Sequence, residues 1–316
     1  MIKKINDIIG DAKTIGIAGH LRPDGDCMGS CMSLYNYLKK NRPDLDVRVF
    51  LEFVDKKFNI IENTDQIITT GYDGTKFDLF ISLDTASLDR LGLNLPFYEN
   101  AKRTACIDHH ASNDGYADYN YILPKASSAS EVLYDLLDED LIDKSIAEPM
   151  YMGIAHDSGV FRFQSTTPKT MRIAANMIEK GVNVNMILEE TFFRKTYNQM
   201  MVTAKIQSEA VLALDGKCIY GYCTSEMMEE YGVTTKDLDA VVASIRNVDG
   251  VEVAMFLYQL SEDSYKVSLR SKNYVDVSKI AVENGGGGHV RAAGAEIHGE
   301  LNDIINKLLN RIKQDI

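Results

Sequence analysis

The N-terminal part of the chain alternates between short apolar runs, rich in β-branched residues, and longer stretches that favour helices. Runs of this length form strands, and strands that alternate with helices build a parallel sheet covered by helices. We therefore predict an α/β fold that begins with a mostly parallel, doubly wound sheet. The predicted strands are Thr14–Gly19, Val47–Leu51, Phe77–Leu83, Thr104–Ile107 and Tyr119–Leu123.

The pattern becomes helical after this sheet and changes again near Asp215-Gly216. The 316 residues suit two domains. We predict a first α/β domain at 1–190, a helical linker at 191–214 and a smaller α/β domain at 215–316. The predicted helices are 27–40, 130–137, 146–155, one from Thr167-Pro168 to Gly181, 235–247, 277–284 and 301–312, with a strand at 218–224 and a hairpin of 251–260 with 265–270.

The formal net charge of -12 argues against a long nucleic-acid tract, because such a tract requires a basic surface. It does not exclude a short anionic substrate held by metal ions and a few cations. No apolar run approaches the ~20 residues of a membrane span, and the N-terminus lacks the apolar region of a signal peptide. We expect a cytoplasmic protein with no membrane partner. The five cysteines include no CxxC and are expected to be small buried residues.

Four motifs combine aspartate with histidine, and the first three each follow a predicted strand. Because the carboxyl ends of parallel strands line one crevice, these side chains should meet there. Each aspartate alone also fits a turn or a helix cap, so it is the combination that favours metal binding. Carboxylate and imidazole ligands suit a divalent ion such as manganese. The motifs are His20-Leu-Arg-Pro-Asp24-Gly-Asp26, Ser82-Leu-Asp84-Thr85, Asp108-His109-His110 and Gly153-Ile-Ala-His-Asp157-Ser-Gly159, the last expected in a glycine-bracketed break between helical segments.

The order of these motifs resembles the DHH phosphoesterase family over nearly the whole chain. Near the C-terminus, Gly285-Gly-Gly-Gly288-His289-x-x-Ala292-Ala293-Gly294 is similar to the substrate-binding domain associated with that family. The length and layout look most like the group of oligoribonucleases, or nano-RNases, that also dephosphorylate pAp. The resemblance implies a 3′–5′ exoribonuclease-type hydrolase that uses two divalent metal ions, with manganese preferred and magnesium as the second choice.

The resemblance also implies roles for individual residues. Asp108 should orient an imidazole and His110 should face the substrate phosphate, so these two residues and Asp84 are the expected catalytic residues. His156 stands where threonine is common in relatives and is not expected to be a ligand. The expected metal ligands are His20 and Asp24 for one ion, Asp26, His109 and Asp157 for the other, and Asp84 as the bridge between them.

The glycine run is no Walker motif, because no Lys-Ser/Thr follows it. Glycine permits close backbone approach to an anion, and cationic side chains lie nearby in sequence. We expect substrate phosphate to bind in this region. The expected contacts are Gly286, Gly287, Gly288, Arg270, His289 and Arg291. Arg162, in Phe-Arg-Phe, is a weaker candidate with a structural role as the alternative, and His298 is expected on a strand with no role.

The implied partners are short RNA oligonucleotides or nucleotide phosphates, and a homodimer is left open. A phosphodiesterase for linear or cyclic dinucleotides shares the same motifs and is the nearest alternative. A pyrophosphatase would typically carry an Arg-Lys-Lys cluster in its second domain, which this sequence lacks. A non-catalytic nucleotide sensor would be expected to lose metal ligands, and all six are present.

Overall fold

The computed structural model describes residues 4–238 and 241–316. The chain divides into two compact units, Met1–Arg194 and Lys195–Ile316. The predicted helix 235–247 includes residues 239 and 240, which lie outside the described part. On either side of them the chain forms a 3₁₀ turn at Thr235–Asp237 and a helix at Val241–Ile245.

The first unit is built on a five-stranded sheet in which every neighbouring pair is parallel. The strand order β2-β1-β3-β4-β5 confirms the predicted doubly wound sheet. The order reverses between β1 and β3, and such a switch point opens a crevice at the carboxyl edge. The strands are β1 (Thr14–Ala18), β2 (Asp46–Phe50), β3 (Leu79–Leu83), β4 (Thr104–Asp108) and β5 (Tyr119–Ile122).

The helices of the first unit cover this sheet and build its main core. All five residues of β3 are buried, as expected of a continuous apolar strand covered on both faces. Ser128 caps one helix by accepting a hydrogen bond from the Glu131 N–H at 3.0 Å. The helices are α1 (Ile5–Ile9), α2 (Gly25–Asn41), α3 (Leu95–Glu99), α4 (Ala129–Leu136), α5 (Lys144–Asp157), α6 (Pro168–Glu179) and α7 (Val184–Leu188), followed by a π-helical turn at Glu189–Phe193.

Helices α2 and α5 cross at two glycines. A Cβ atom on Gly29 would lie 2.4 Å from the Pro149 carbonyl oxygen, and one on Gly153 would lie 2.0 Å from the Ser130 Oγ. Gly153 is therefore a packing residue inside α5 and does not mark a break. The expectation that Asp157 lies between helical segments was wrong, because Asp157 is the last residue of α5.

The second unit contains a six-stranded mixed sheet in the order β10-β11-β9-β8-β7-β6. Its central hairpin is the predicted one. The segment 191–214, predicted as a linker, includes α8, which falls in the second unit. The strands are β6 (Val211–Ala213), β7 (Cys218–Cys223), β8 (Val253–Ser261), β9 (Ser264–Ser271), β10 (Gly287–His289) and β11 (Ala292–His298), and the helices are α8 (Tyr197–Glu209), α9 (Ser225–Tyr231), α10 (Val241–Ile245), α11 (Val277–Val282) and α12 (Leu301–Ile312).

All five cysteines are buried and none forms a disulfide. This agrees with their prediction as small buried residues. In the described ranges, none of the helices has both the length and the apolar character that crossing a membrane requires.

Candidate metal centre

Three strands of the first sheet end in acidic or imidazole side chains at one edge. His20 follows β1 after a single glycine, Asp84 follows β3 directly, and Asp108 is the last residue of β4. The ends of β1 and β3 flank the switch point, so His20 and Asp84 lie on either side of the crevice. Asp84 has a φ of 52°, a left-handed conformation that aspartate adopts more readily than most residues.

The first group of possible ligand atoms comes from His20, Asp24 and Asp84, which approach within 4.8 Å of one another. The His20 Nε2 lies 3.8 Å from the Asp24 Oδ2 and 3.5 Å from the Asp84 Oδ2. The other ring nitrogen, Nδ1, donates to the Leu21 carbonyl oxygen at 2.7 Å. That hydrogen bond fixes the tautomer and leaves Nε2 to face the two carboxylates.

The second group consists of Asp26, His109 and Asp157, from three different elements. The His109 Nε2 lies 3.2 Å from the Asp157 Oδ2 and 4.0 Å from the Asp26 Oδ2. It is also 3.5 Å from the Asp84 Oδ1. Asp84 thus has one oxygen towards His109 and the other towards His20, which places it between the two groups.

Helix N-termini position the two aspartates of the first motif. Asp24 is the N-cap of α2, and its Oδ1 accepts from the backbone N–H groups of Asp26 and Cys27 at 3.0 and 3.1 Å. Asp26 is buried, and its two oxygens accept from the N–H groups of Ala129 and Ser130 at 2.6 and 3.0 Å. Those N–H groups open α4, so the positive end of a helix stabilises the Asp26 carboxylate.

Asp108 contacts the imidazole of His110. Its Oδ1 lies 2.8 Å from the His110 Nδ1, and its Oδ2 accepts from the Asn113 Nδ2 at 2.7 Å. The same Asn113 amide group donates to the Thr85 carbonyl oxygen at 3.1 Å. Asn113 therefore ties the chain after β4 to the chain after β3. Its contacts with Asp108 and the Thr85 carbonyl depend on the turn that follows His110, and no spacing rule in the sequence identifies it.

The carboxylates of this cluster are close enough to perturb one another. Burial and then the charge of Asp84 raise the pKa of Asp26 to about 7. Burial and the charge of Asp26 also raise the pKa of Asp157 well above its usual range. Burial alone would lower the pKa of His109, but its hydrogen bond with Asp84 and the charges of Asp157 and Asp26 raise it to about 10.

The raised pKa values of Asp26 and Asp157 indicate that the cluster concentrates negative charge in buried surroundings. Divalent cations would neutralise that charge, and the donors are oxygen and imidazole nitrogen, the types that manganese and magnesium accept. The residues present therefore fit two divalent ions. Asp84 has one carboxylate oxygen towards each ligand group, and this arrangement fits a carboxylate that is shared by two ions.

His156 is directed away from the ligand groups. The Thr191 hydroxyl donates to the Ile187 carbonyl oxygen at 2.7 Å, so it accepts from the His156 Nε2 at 2.9 Å. Burial, followed by the charge of Lys57, lowers the pKa of His156 to about 4, which keeps the ring neutral. The ring packs against Gly25, where an added Cβ atom would lie 2.1 Å from the His156 Cγ.

Two of the predicted substrate residues of the second unit lie on the strands that flank β11. Arg270 on β9 and His289 on β10 are both in register with Ala292 of β11. Directly paired residues share a face of a sheet, so the arginine and the histidine lie on the same face. Arg291 donates to the Val275 carbonyl oxygen at 2.8 Å and also to that of Asn273, and it thereby holds the loop between them.

Two glycines of the run are required for close packing. A Cβ atom on Gly286 would lie 2.1 Å from the Gly294 carbonyl oxygen, and one on Gly288 would lie 2.5 Å from that of Ala292. Both glycines are thus required by close approach to β11. Gly287 has open space around its Cα atom, so its backbone is accessible to a ligand.

Known proteins match the chain along most of its length. Residues 14–154 match the DHH family, N-terminal domain, and residues 215–315 match the DHHA1 domain. The bifunctional oligoribonuclease and PAP phosphatase NrnA of Thermus thermophilus is 31% identical over 313 residues, covering 96% of this chain and 90% of that protein. The protein of the same name from Bacillus subtilis is 27% identical and covers 90% of each chain.

A solved structure shares the fold. The crystal structure of an exopolyphosphatase-related protein from Bacteroides fragilis has a TM-score of 0.89 at 23% identity, covering 98% of this chain and 95% of that one. At that identity the likeness concerns the backbone arrangement alone.

Proposed function

This chain belongs to the DHH family, and from that premise we propose that it is a manganese-dependent phosphoesterase. Its substrates are short oligoribonucleotides, which it hydrolyses to mononucleotides, and pAp, which it converts to AMP and phosphate. The names of the relatives from Thermus thermophilus and Bacillus subtilis support both activities.

The observation on which this proposal rests is the position of Asp84 between the two ligand groups. One carboxylate oxygen is 3.5 Å from the His20 Nε2 and the other is 3.5 Å from the His109 Nε2. In the proposed centre, Asp84 would be shared by two ions. His20 and Asp24 would hold one of them, and Asp26, His109 and Asp157 would hold the other.

When bound, two divalent ions polarise a phosphoryl group and activate water as the nucleophile. The protein residues orient the reacting groups around them. Asp108 holds the His110 imidazole through its Nδ1, so the Nε2 is the nitrogen that contacts the substrate phosphate. The amide N–H groups at the start of α4 keep the Asp26 carboxylate in one orientation.

Substrate recognition is assigned to the second unit. Arg270 and His289, on the same face of the sheet, bind the substrate away from the scissile bond, with the open backbone at Gly287 beside them. Arg291 contributes by holding the neighbouring loop. A net charge of -12 disfavours the binding of a long, highly charged strand, so we propose a preference for oligonucleotides of about two to five residues.

A substrate panel on metal-stripped protein tests this function. Protein freed of metal should not hydrolyse pAp or pApA, and added manganese should restore both activities more fully than magnesium. Cyclic di-AMP and pyrophosphate serve as controls for the neighbouring specificities and should be poor substrates. Full activity in the presence of excess chelator would contradict the proposed metal centre, and turnover of pyrophosphate alone would contradict the nucleotide substrates.

A further inference from the structure

The chain makes an unusual turn immediately after Asp157. Gly159, Val160 and Phe161 have φ values of 58°, 57° and 62°, so three consecutive residues are left-handed. A β-branched residue such as valine rarely adopts this conformation. Strain of this kind persists where the surrounding structure forces it, and it often accompanies function.

Hydrogen bonds to one serine hold the turn. The Ser158 Oγ accepts from the Phe161 N–H at 2.9 Å, and the Ser158 carbonyl oxygen accepts from the N–H groups of Arg162 and Phe163, both at 3.0 Å. The Phe163 ring lies over Gly159, where an added Cβ atom would be 2.4 Å away. The turn is therefore a rigid extension of the end of α5.

This turn fixes the Arg162 side chain at the surface. Its Nε donates to the Gly159 carbonyl oxygen at 2.9 Å, while the residue as a whole is exposed. In the ranges 4–238 and 241–316, no carboxylate forms an ion pair with this guanidinium, although 46 of the 316 residues are acidic. By contrast, Arg103 and Arg311 pair with carboxylates.

The anchoring carbonyl is close to the metal centre. Gly159 is two residues from Asp157, and since consecutive Cα atoms are 3.8 Å apart, their Cα atoms are separated by no more than about 7.6 Å. Anchoring through Nε leaves the two terminal nitrogens of the guanidinium as donors. A planar pair of N–H donors matches two oxygens of a phosphate, which a lysine ammonium cannot reproduce.

We propose that Arg162 binds the phosphoryl group that is hydrolysed at the Asp84 centre. The inference rests on the proposed phosphoesterase function and adds a substrate-contacting residue to it. The strained turn gives this role a physical basis, because it anchors the guanidinium to the Gly159 carbonyl oxygen, two residues after Asp157.

Arg162→Gln tests this role against Arg172→Gln, a matched control on the exposed surface of α6. With pApA and manganese, Arg162→Gln should lower kcat/KM by about 100-fold, since a charge-assisted hydrogen bond pair is lost. Affinity for AMP, the product, should fall by about tenfold or more, while manganese affinity and the melting temperature stay close to wild type. Arg162→Lys should recover only a small part of the loss, because it lacks the Nε anchor and the planar donor pair.

Kinetics of Arg162→Gln within about threefold of those of Arg172→Gln would overturn the inference. Loss of manganese affinity in both Arg162 variants would also overturn it, because the side chain would then act on Asp157 and not on substrate. Failure of the proposed function is a separate result, since the wild-type protein itself would then fail to hydrolyse pApA.

Discussion

Replacing Gly25 by alanine should lower the free energy of unfolding of the wild-type protein. In a His156→Ala variant the same replacement should be neutral or stabilising. The added Cβ atom would lie 2.1 Å from the His156 Cγ, whereas carbon atoms in contact are normally about 3.5–4.0 Å apart. Gly25 is the first residue of α2 and its φ is not in the left-handed region, so alanine is otherwise tolerated there. The three heavy atoms nearest to that Cβ position all belong to the His156 imidazole.

The magnitudes follow from these contacts. In the wild-type background, overpacking should cost about 1–3 kcal/mol of unfolding free energy. His156→Ala is itself destabilising, because it removes the hydrogen bond to Thr191 and leaves a cavity. In that variant the space is free, so Gly25→Ala should be neutral or stabilise by up to about 1 kcal/mol through helix propensity. The coupling between the two sites should therefore be about 2 kcal/mol.

Urea denaturation in the presence of chelator measures this coupling in the wild type, the two single variants and the double variant. Manganese titration of the same proteins measures the effect of each substitution on the metal site. Because Asp24 and Asp26 flank Gly25, the single variant should bind manganese more weakly and the double variant should recover part of the affinity. Gly29→Ala is the matched control, since its Cβ atom would meet the Pro149 backbone and not His156. An equal loss of unfolding free energy from Gly25→Ala in both backgrounds would show that the His156 ring does not obstruct the added Cβ atom.

Three further changes test the two sites. Asp84→Ala should lose at least one manganese ion by calorimetry and nearly all turnover, and retention of two ions at wild-type affinity would exclude a bridge. Arg270→Ala should weaken kcat/KM for pApA far more than for a small artificial phosphodiester, and equal losses would contradict substrate binding in the second unit. Asn113→Ala should lower turnover by about 10–100-fold with little change in fold, because Asp108 loses the donor that orients it; unchanged kinetics would show that the contact is not needed.

The sequence was sufficient for the first sheet and the cluster at its edge because both follow from local patterns. Each buried strand is a short apolar run, and His20, Asp84 and Asp108 come at or just after a strand end. Parallel topology then brings them to one edge without further information. The short helices α1 and α9 were missed, since elements of five and seven residues are too short to show helical periodicity.

The contacts that orient the cluster could not be predicted in the same way. The N–H groups that hold Asp26 belong to Ala129 and Ser130, more than 100 residues further along the chain. From the sequence, Gly153 was interpreted as part of a helix break. Its packing role could not be recognised, because the side chain it contacts, Ser130, lies on another helix. Such contacts depend on how helices cross, and that information is absent from any local window of sequence.

We propose that a manganese centre built around Asp84 hydrolyses short oligoribonucleotides. The most direct measurement is kcat/KM for pApA and for an RNA of about 24 nucleotides, at physiological salt, with manganese-loaded and metal-stripped protein. We predict a higher value for the dinucleotide and no turnover of either substrate without metal. A higher value for the long RNA would contradict the proposed substrate, and turnover by the stripped protein would contradict the centre itself.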